Sequence, residues 1–273
     1  MLNRIIPSSG EQLPAIGLGS WQTFDTDDRA GFPRLRQVLQ MMHAAGGSLI
    51  DSSPMYGRSE QTIGDITSAM PEAGSFFYAT KVWTKGKEQG IQQMQDSLRK
   101  MKRERMDLIQ IHNLVDWKIH LRTLREWKEK GIVRYIGITH YTDDYHAELE
   151  KILRAEAIDF VQFNYSITAR HAEERLLPAC AELGVATLIN RPLGEGKLFK
   201  PVHNKMLPGW AIEAGIDNWA AFFLRYILAH PAVTCVIPAT ADPSHATDNM
   251  GAGTGPLPGK DLLKKMVDYV QNL

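Results

Sequence analysis

Eight short apolar runs alternate with amphipathic stretches along the whole chain, and no other feature limits the fold as much. The runs fall at residues 15–18, 48–50, 76–80, 107–111, 135–138, 160–163, 186–189 and 234–237. Several are apolar at successive positions, as expected of parallel strands covered by helices on both faces. Between them Leu35, Val38, Leu39 and Met42 recur at helical spacing, as do Leu98 and Met101, then Leu121, Leu124 and Trp127. Leu149, Ile152 and Leu153 follow, then Leu176, Leu177 and Cys180. Residues 219–230 predict a strongly apolar helix, and 262–273 a closing one. Gly46-Gly47, Gly131 and Gly184 stand where helices must stop before strands. The interval from Ala186 to Thr234 is far longer than the others, so extra structure is expected around residues 203–217.

Eight β-α units with right-handed crossovers close most simply into a (β/α)8 barrel, an α/β fold with an eight-stranded parallel sheet. A length of 273 residues suits one such domain over residues 1–273. The alternative, a doubly wound open sheet, wants a glycine-rich phosphate turn after its first strand. Gly17-Leu18-Gly19 lacks the third glycine, and no Walker lysine motif occurs. Residues 251–259 predict a flexible loop before the last helix. Basic and acidic residues balance at 31 each, so no global field draws nucleic acid or an anionic membrane. No apolar run approaches the roughly 18 residues of a membrane span. Met1-Leu2-Asn3-Arg4 does not begin a signal peptide, and a cytoplasmic location is expected. Cys180 and Cys235, far apart in apolar surroundings, are expected to be buried reduced thiols.

In such a barrel the chemistry sits at the carboxyl ends of the strands. Asp51 follows the second strand, with Tyr56 five residues on in Ser53-Pro54-Met55-Tyr56-Gly57. Lys81 ends the third, His112 follows the fourth, and Thr139-His140-Tyr141 the fifth. Gln162 lies in the sixth, Asn190-Arg191 follows the seventh, and Pro238-Ala239-Thr240 the eighth. Singly these residues mean little, since a lone Asp at a strand end more often caps a helix and a lone His is more often structural. Lys81 is harder to dismiss. It follows Phe76-Phe77-Tyr78-Ala79-Thr80, so its stem starts inside the rim, where an ammonium is costly without a counter-ion. Asp51 on the adjacent strand is the natural partner. Tyrosine titrates near pH 10, too high for efficient proton donation near neutrality, and an adjacent ammonium is expected to lower that value. A histidine nearby can orient the substrate oxygen. The set is a proton relay without nucleophile or metal, and it needs a bound hydride donor.

At these residues the chain resembles the aldo-keto reductase superfamily, from Leu13-Pro14-Ala15-Ile16-Gly17-Leu18-Gly19 to Val236-Ile237-Pro238-Ala239-Thr240. The resemblance implies a (β/α)8 fold, an extended nicotinamide cofactor without a Rossmann domain, and carbonyl reduction with Asp51, Tyr56, Lys81 and His112 as the catalytic tetrad. It places Thr139, His140 and Gln162 on the nicotinamide carboxamide, with His140 departing from the usual asparagine. It places Pro192-Leu193-Gly194 at the pyrophosphate. Asn190-Arg191 replaces the usual Tyr-Ser, so the stacking aromatic is missing and Arg191 is offered to a phosphate. In the last loop Thr240, His245 and Asn249 fall at the adenosine end. Ala239 and His245 stand where two cations usually clasp the 2′-phosphate, which implies NADPH with weakened discrimination against NADH.

Trp21, Phe24, Trp83 and Trp117 follow strands and are expected to wall an apolar substrate pocket. The chain closes on its last helix, Tyr269 to Leu273, which predicts an open site permissive among small aldehydes and ketones. Many relatives are monomers, and a monomer is expected. Two other classes compete. A non-catalytic cofactor-sensing module on the same fold would not need the intact tetrad. A metal-dependent hydrolase needs clustered ligands, whereas most of the nine histidines fall in helices or loops and no His-x-His pair occurs.

Overall fold

A computed structural model describes residues 1–273. Strands β1 (Asn3–Ile5) and β2 (Gln12–Pro14) form an antiparallel hairpin. Eight parallel strands follow: β3 (Leu18–Gly19), β4 (Leu49–Asp51), β5 (Phe77–Val82), β6 (Met106–His112), β7 (Val133–Thr139), β8 (Phe160–Asn164), β9 (Ala186–Asn190) and β10 (Cys235–Val236). Each pairs with its successor in chain order, and bridges from Ile16 to Val236 and Gly19 to Ala239 close the ring. This is the (β/α)8 barrel, with all eight expected strands in place, and the doubly wound alternative falls.

The helices are α1 (Phe32–Ala44), α2 (Ser59–Thr67), α3 (Lys87–Lys100), α4 (Trp117–Glu129), α5 (His146–Ala155), α6 (Leu176–Leu183), α7 (Gly209–Glu213), α8 (Trp219–Leu228), α9 (Pro243–Gly251) and α10 (Lys260–Gln271). The long seventh loop carries a 3-10 segment, Gly194–Phe199, and α7, as its length required. Four of these strands and helices, β1, β2, α2 and α9, were not foreseen. The hairpin strands are three residues each, too short for a period to emerge. Helix α2 buries Ser59, Glu60, Thr62 and Thr67 beside Ile63 and Ile66, so its inner face has no apolar stripe. Helix α9 buries only Ala246, Asn249 and Met250. No helix is long and apolar enough to cross a membrane.

The site is positioned by the two-residue period of the strands. Side chains directed into the barrel step from apolar to polar along each strand: Leu49 to Asp51, Phe77 and Ala79 to Lys81, Leu108 to Gln110, and Phe160 to Gln162. The lower tiers, with Ile6 and Leu13 from the hairpin, form a closed apolar cluster. Phe77, Tyr135 and Phe160 pack there with ring centroids 5.5–6.2 Å apart. A second, larger core lies between the strands and the helices. Cys180 and Cys235 are free and buried, and burial pushes the Cys180 thiol up to about 12 and that of Cys235 higher still.

Gly137 in β7 marks where the two tiers meet. A Cβ there would lie 2.8 Å from the Phe160 carbonyl oxygen and 2.9 Å from Gln110 Cγ. In most strands Ala for Gly is favourable, but here overpacking dominates. Gly137→Ala is expected to cost about 1–3 kcal/mol, read as a lower urea midpoint at unchanged slope. An unchanged midpoint would mean that Gln110 and β8 yield freely.

Candidate active site

Lys81 and Asp51 form an ion pair at the top of the apolar tiers, with Nζ 2.6 Å from Oδ2. Lys81 is fully buried and Asp51 is 2% exposed. Two unpaired charges here would be very costly, and each is saturated instead. Lys81 Nζ also donates to the Ser52 carbonyl at 2.7 Å. Asp51 Oδ1 accepts from Gln110 Nε2 at 3.2 Å and from Gln162 Nε2 at 3.1 Å. Thr139 Oγ1 in turn donates to Gln162 Oε1 at 3.2 Å. The network thus draws on five adjacent strands, β4 to β8. Burial pulls the Lys81 pKa down, but Asp51 and Tyr56 together outweigh it and the net direction is up, so the ammonium stays charged.

Tyr56 stands on the β4–α2 loop, half-buried, with Lys81 Nζ 5.0 Å from its ring centroid. His112 at the end of β6 meets it edge to face at 5.8 Å, and Trp83 lies 6.5 Å from His112. The expectation that Lys81 lowers the Tyr56 pKa below its ordinary value needs correction. Burial raises it most, Lys81 lowers it, Asp51 raises it again, and the net direction is up. The ammonium is largely neutralised by the carboxylate that holds it. Burial, Lys81 and His140 hold the His112 imidazole down at about 2, so it is neutral. The site offers a protonated phenol and a neutral imidazole, side by side, over a buried ammonium.

Around this centre Thr139 and Gln162 belong to the Asp51 network, whereas His140 is built differently. Its ring stacks on Tyr145 at 3.5 Å and on Tyr141 at 5.3 Å, and its Nδ1 lies 3.2 Å from Thr142 Oγ1. At the end of β9, Asn190 Oδ1 is sealed from solvent without a hydrogen-bond partner. An amide-bearing ligand with donors to spare fits that orphaned acceptor. Pro192 and Leu193 lead into a turn in which Arg191, Gly194, Glu195 and Gly196 all have positive φ. Arg191 itself is engaged: it pairs with Glu195 at 3.1 Å and donates to the Tyr141 carbonyl at 3.2 Å. The charge offered to a phosphate is therefore already partnered within the protein.

Thr240 Oγ1 accepts from the Asp242 N–H at 3.0 Å, and Asp242 caps α9 by accepting from the Ser244 N–H at 2.8 Å. His245 is exposed on the first turn of that helix, and Asn249 is buried one turn further on. Arg34 of α1 pairs with Asp242, whose carboxyl Ser244 and Arg34 hold well below the usual range. Trp21 and Trp83 are 42% and 41% exposed at the mouth, while Trp117 opens α4 and packs partly on the outer core. Phe24 is fully buried in that core and walls no pocket.

Sequence reasoning passed over Gln110, Ser53 and Glu60. Glu60 on α2 is 1% exposed, and Thr80 Oγ1 donates to its Oε1 at 2.5 Å. Its Oε2 is sealed without a hydrogen-bond partner, and burial raises its pKa. Glu60 thereby pins the helix following Tyr56 to the strand carrying Lys81. The signal was weak, because a glutamate four residues after a tyrosine reads as an exposed first-turn acid.

The sequence profile described as Aldo/keto reductase family matches residues 15–264. Among individual proteins, the Aldo-keto reductase YhdN of Bacillus subtilis is 24% identical over 213 residues, covering 71% of this chain but only 62% of its own length. The methylglyoxal reductase YeaE of Escherichia coli is 24% identical over 259 residues, 91% of this chain and 89% of its own. Among solved structures, an aldo-keto reductase from Klebsiella pneumoniae in complex with NADPH superposes with a TM-score of 0.83 at 22% identity, covering 99% of this chain and 95% of that one. With the family profile covering nearly the whole barrel, the chain belongs to the aldo/keto reductase family.

Proposed function

We propose that this protein reduces small aldehydes or ketones to alcohols, with Tyr56 as the proton donor. The observation that carries the proposal is the buried Lys81–Asp51 pair beneath the Tyr56 ring, with neutral His112 beside it. His112 donates a hydrogen bond to the substrate carbonyl oxygen and fixes its direction. Tyr56 delivers its proton to that oxygen as negative charge grows there. Lys81 stabilises the phenolate that remains, and Asp51 holds the ammonium in position. A reduced nicotinamide supplies the hydride when bound. Thr139, His140 and Gln162 would hold its carboxamide, Asn190 would lie against the nicotinamide, Pro192 and Leu193 would meet its pyrophosphate, and Thr240, His245 and Asn249 its adenosine. NADPH is the cofactor proposed first, in keeping with the NADPH complex of the similar Klebsiella pneumoniae protein. NADH is expected to serve as well, because the one carboxylate at the start of α9, Asp242, does nothing to attract a further phosphate. The exposed Trp21 and Trp83 leave the mouth open to small carbonyls, a class that includes the substrate named for the Escherichia coli relative.

Tyr56→Phe is expected to cut carbonyl reduction at least about 10²-fold while cofactor binding, followed by fluorescence, is nearly unchanged. Retained turnover would assign the proton to another group. Because the Tyr56 pKa lies above its ordinary value of 10.0 and that of His112 lies near 2, neither group titrates between. The kcat/KM for reduction should be flat from about pH 6 to about pH 9 and fall only as Tyr56 ionises in strong alkali. A limb near neutrality would contradict the assignment.

Lys81→Met leaves Asp51 buried without its counter-ion, at an expected cost of about 3–5 kcal/mol. The Lys81→Met/Asp51→Asn double variant should recover part of that stability but none of the activity. For the cofactor, the ratio of NADH to NADPH dissociation constants is expected below about 100. A larger ratio would show that another cation, with Arg34 the first to test, replaces the missing pair.

A further inference from the structure

The His112 imidazole is neutral, so its single ring proton sits on one nitrogen or the other, and the role proposed for His112 depends on which. Nε2 has no protein partner and is not among the sealed polar atoms, so it opens to the mouth of the barrel. Nδ1 lies 2.9 Å from Ser53 Oγ. Ser53 is fully buried, two residues after Asp51 and three before Tyr56.

A hydroxyl has one hydrogen and two lone pairs. The Met55 backbone N–H donates to Ser53 Oγ at 3.3 Å, which takes one lone pair. No acceptor other than His112 Nδ1 stands within reach of the hydroxyl hydrogen. If Nδ1 carried the ring proton, that proton would take the second lone pair. The Ser53 O–H would then point at nothing in a site closed to water, which is the costly condition for a buried donor. If Nδ1 is bare, the O–H donates to it and every group is satisfied. The charged and titratable groups facing the ring do not upset this choice. Lys81 and His140 both disfavour a second ring proton, and Tyr56 and Trp83 contact the ring by their aromatic edges and faces.

We infer that Ser53 is a positioning residue that fixes the His112 tautomer, keeping Nδ1 bare and the proton on Nε2, where it can be donated to a carbonyl oxygen. The catalytic consequence rests on the reading of His112 given above. The same turn fixes the acid, since the Tyr56 N–H donates to the Ser53 carbonyl at 3.0 Å. One short loop therefore sets both the place of the proton donor and the tautomer of the neighbouring hydrogen-bond donor.

The test is a long-range proton–nitrogen correlation on protein labelled with ¹⁵N histidine, with His112 assigned by loss of its signals in His112→Gln. The expected pattern in the unmodified protein is a pyridine-type Nδ1 and a pyrrole-type Nε2. Ser53→Ala should move His112 toward a mixture of tautomers, and Ser53→Thr, which keeps the hydroxyl, should restore the single form. In the reductase assay Ser53→Ala should lower kcat about tenfold with the cofactor dissociation constant unchanged, and Ser53→Thr should recover it. A proton on Nδ1 in the unmodified protein overturns the inference, and so does an unaltered Nε2–H tautomer in folded Ser53→Ala. The nitrogen spectrum is recorded without substrate, so a protein that shows the Nε2–H tautomer yet reduces no carbonyl would sink the proposed activity and leave the role of Ser53 standing.

Discussion

The buried Lys81–Asp51 pair is the interaction on which the upper half of the barrel depends. Taken alone, a buried ion pair is weak evidence for stability, since an apolar pair of similar volume often does as well. What marks this one is the surrounding investment in side chains. Gln110 from β6 and Gln162 from β8 both turn their amides onto Asp51 Oδ1, and Thr139 from β7 holds Gln162 in turn. Gly137 forgoes a side chain, which leaves room for Gln110. Beneath them Leu49, Ala79, Leu108 and Phe160 form a buried apolar floor. The charges are therefore held in one geometry by five strands, which is the rigidity a proton relay needs and a stable core does not.

That arrangement changes how the tyrosine is to be understood. A free ammonium beside a phenol would pull its proton off at lower pH. Here the ammonium is already compensated by Asp51, and burial has the larger effect, so Tyr56 keeps its proton. For a general acid this is the useful direction. In the proposed reaction the group it would protonate, an oxygen becoming an alkoxide, is a far stronger base than a phenolate, so the transfer would remain favourable. On that proposal Lys81 would contribute as the phenolate forms, when its attraction is strengthened by the low-polarity surroundings. Glu60 extends the same logic one layer outward, bonding the helix after Tyr56 to Thr80, the immediate neighbour of Lys81.

The strands and the polar residues at their ends were legible because both follow from a two-residue period. Each run is apolar where it crosses the packed tiers and turns polar where it leaves them, so Asp51, Lys81 and His112 stand at the ends of apolar runs. What remained hidden depends on partners distant in sequence. The pairing of Arg191 with Glu195 and the Tyr141 carbonyl, and that of Arg34 with Asp242, could not be read from either partner alone. Helix α2 escaped notice because its buried face is half polar, and Phe24 was misplaced because an aromatic after a strand looks the same at a pocket rim as in the core. Ser53 was quoted only as part of the tyrosine loop; its hydroxyl acquires meaning only when His112, brought by another strand, arrives 2.9 Å away.

The acid and hydride halves of the site differ physically. The acid half is carried mainly on strand ends, and its ion pair is held by hydrogen bonds from Gln110 and Gln162 and to the Ser52 carbonyl. The half expected to hold a cofactor lies on loops, with Arg191 and Glu195 in left-handed conformations that side chains rarely adopt and with Asn190 Oδ1 unsatisfied. Strain and orphaned acceptors of this kind cost of order 1–3 kcal/mol each and persist where something repays them. A bound amide would satisfy Asn190. The Arg191–Glu195 contact is partly exposed, and pairs of that type contribute about 0–1 kcal/mol. Exchanging Glu195 for an incoming phosphate would therefore cost little, so the engaged state of Arg191 does not prevent it from meeting an anion. On the proposed reading the loop half of the site is therefore the part that its ligand completes, while the Lys81–Asp51 pair is held by protein groups alone.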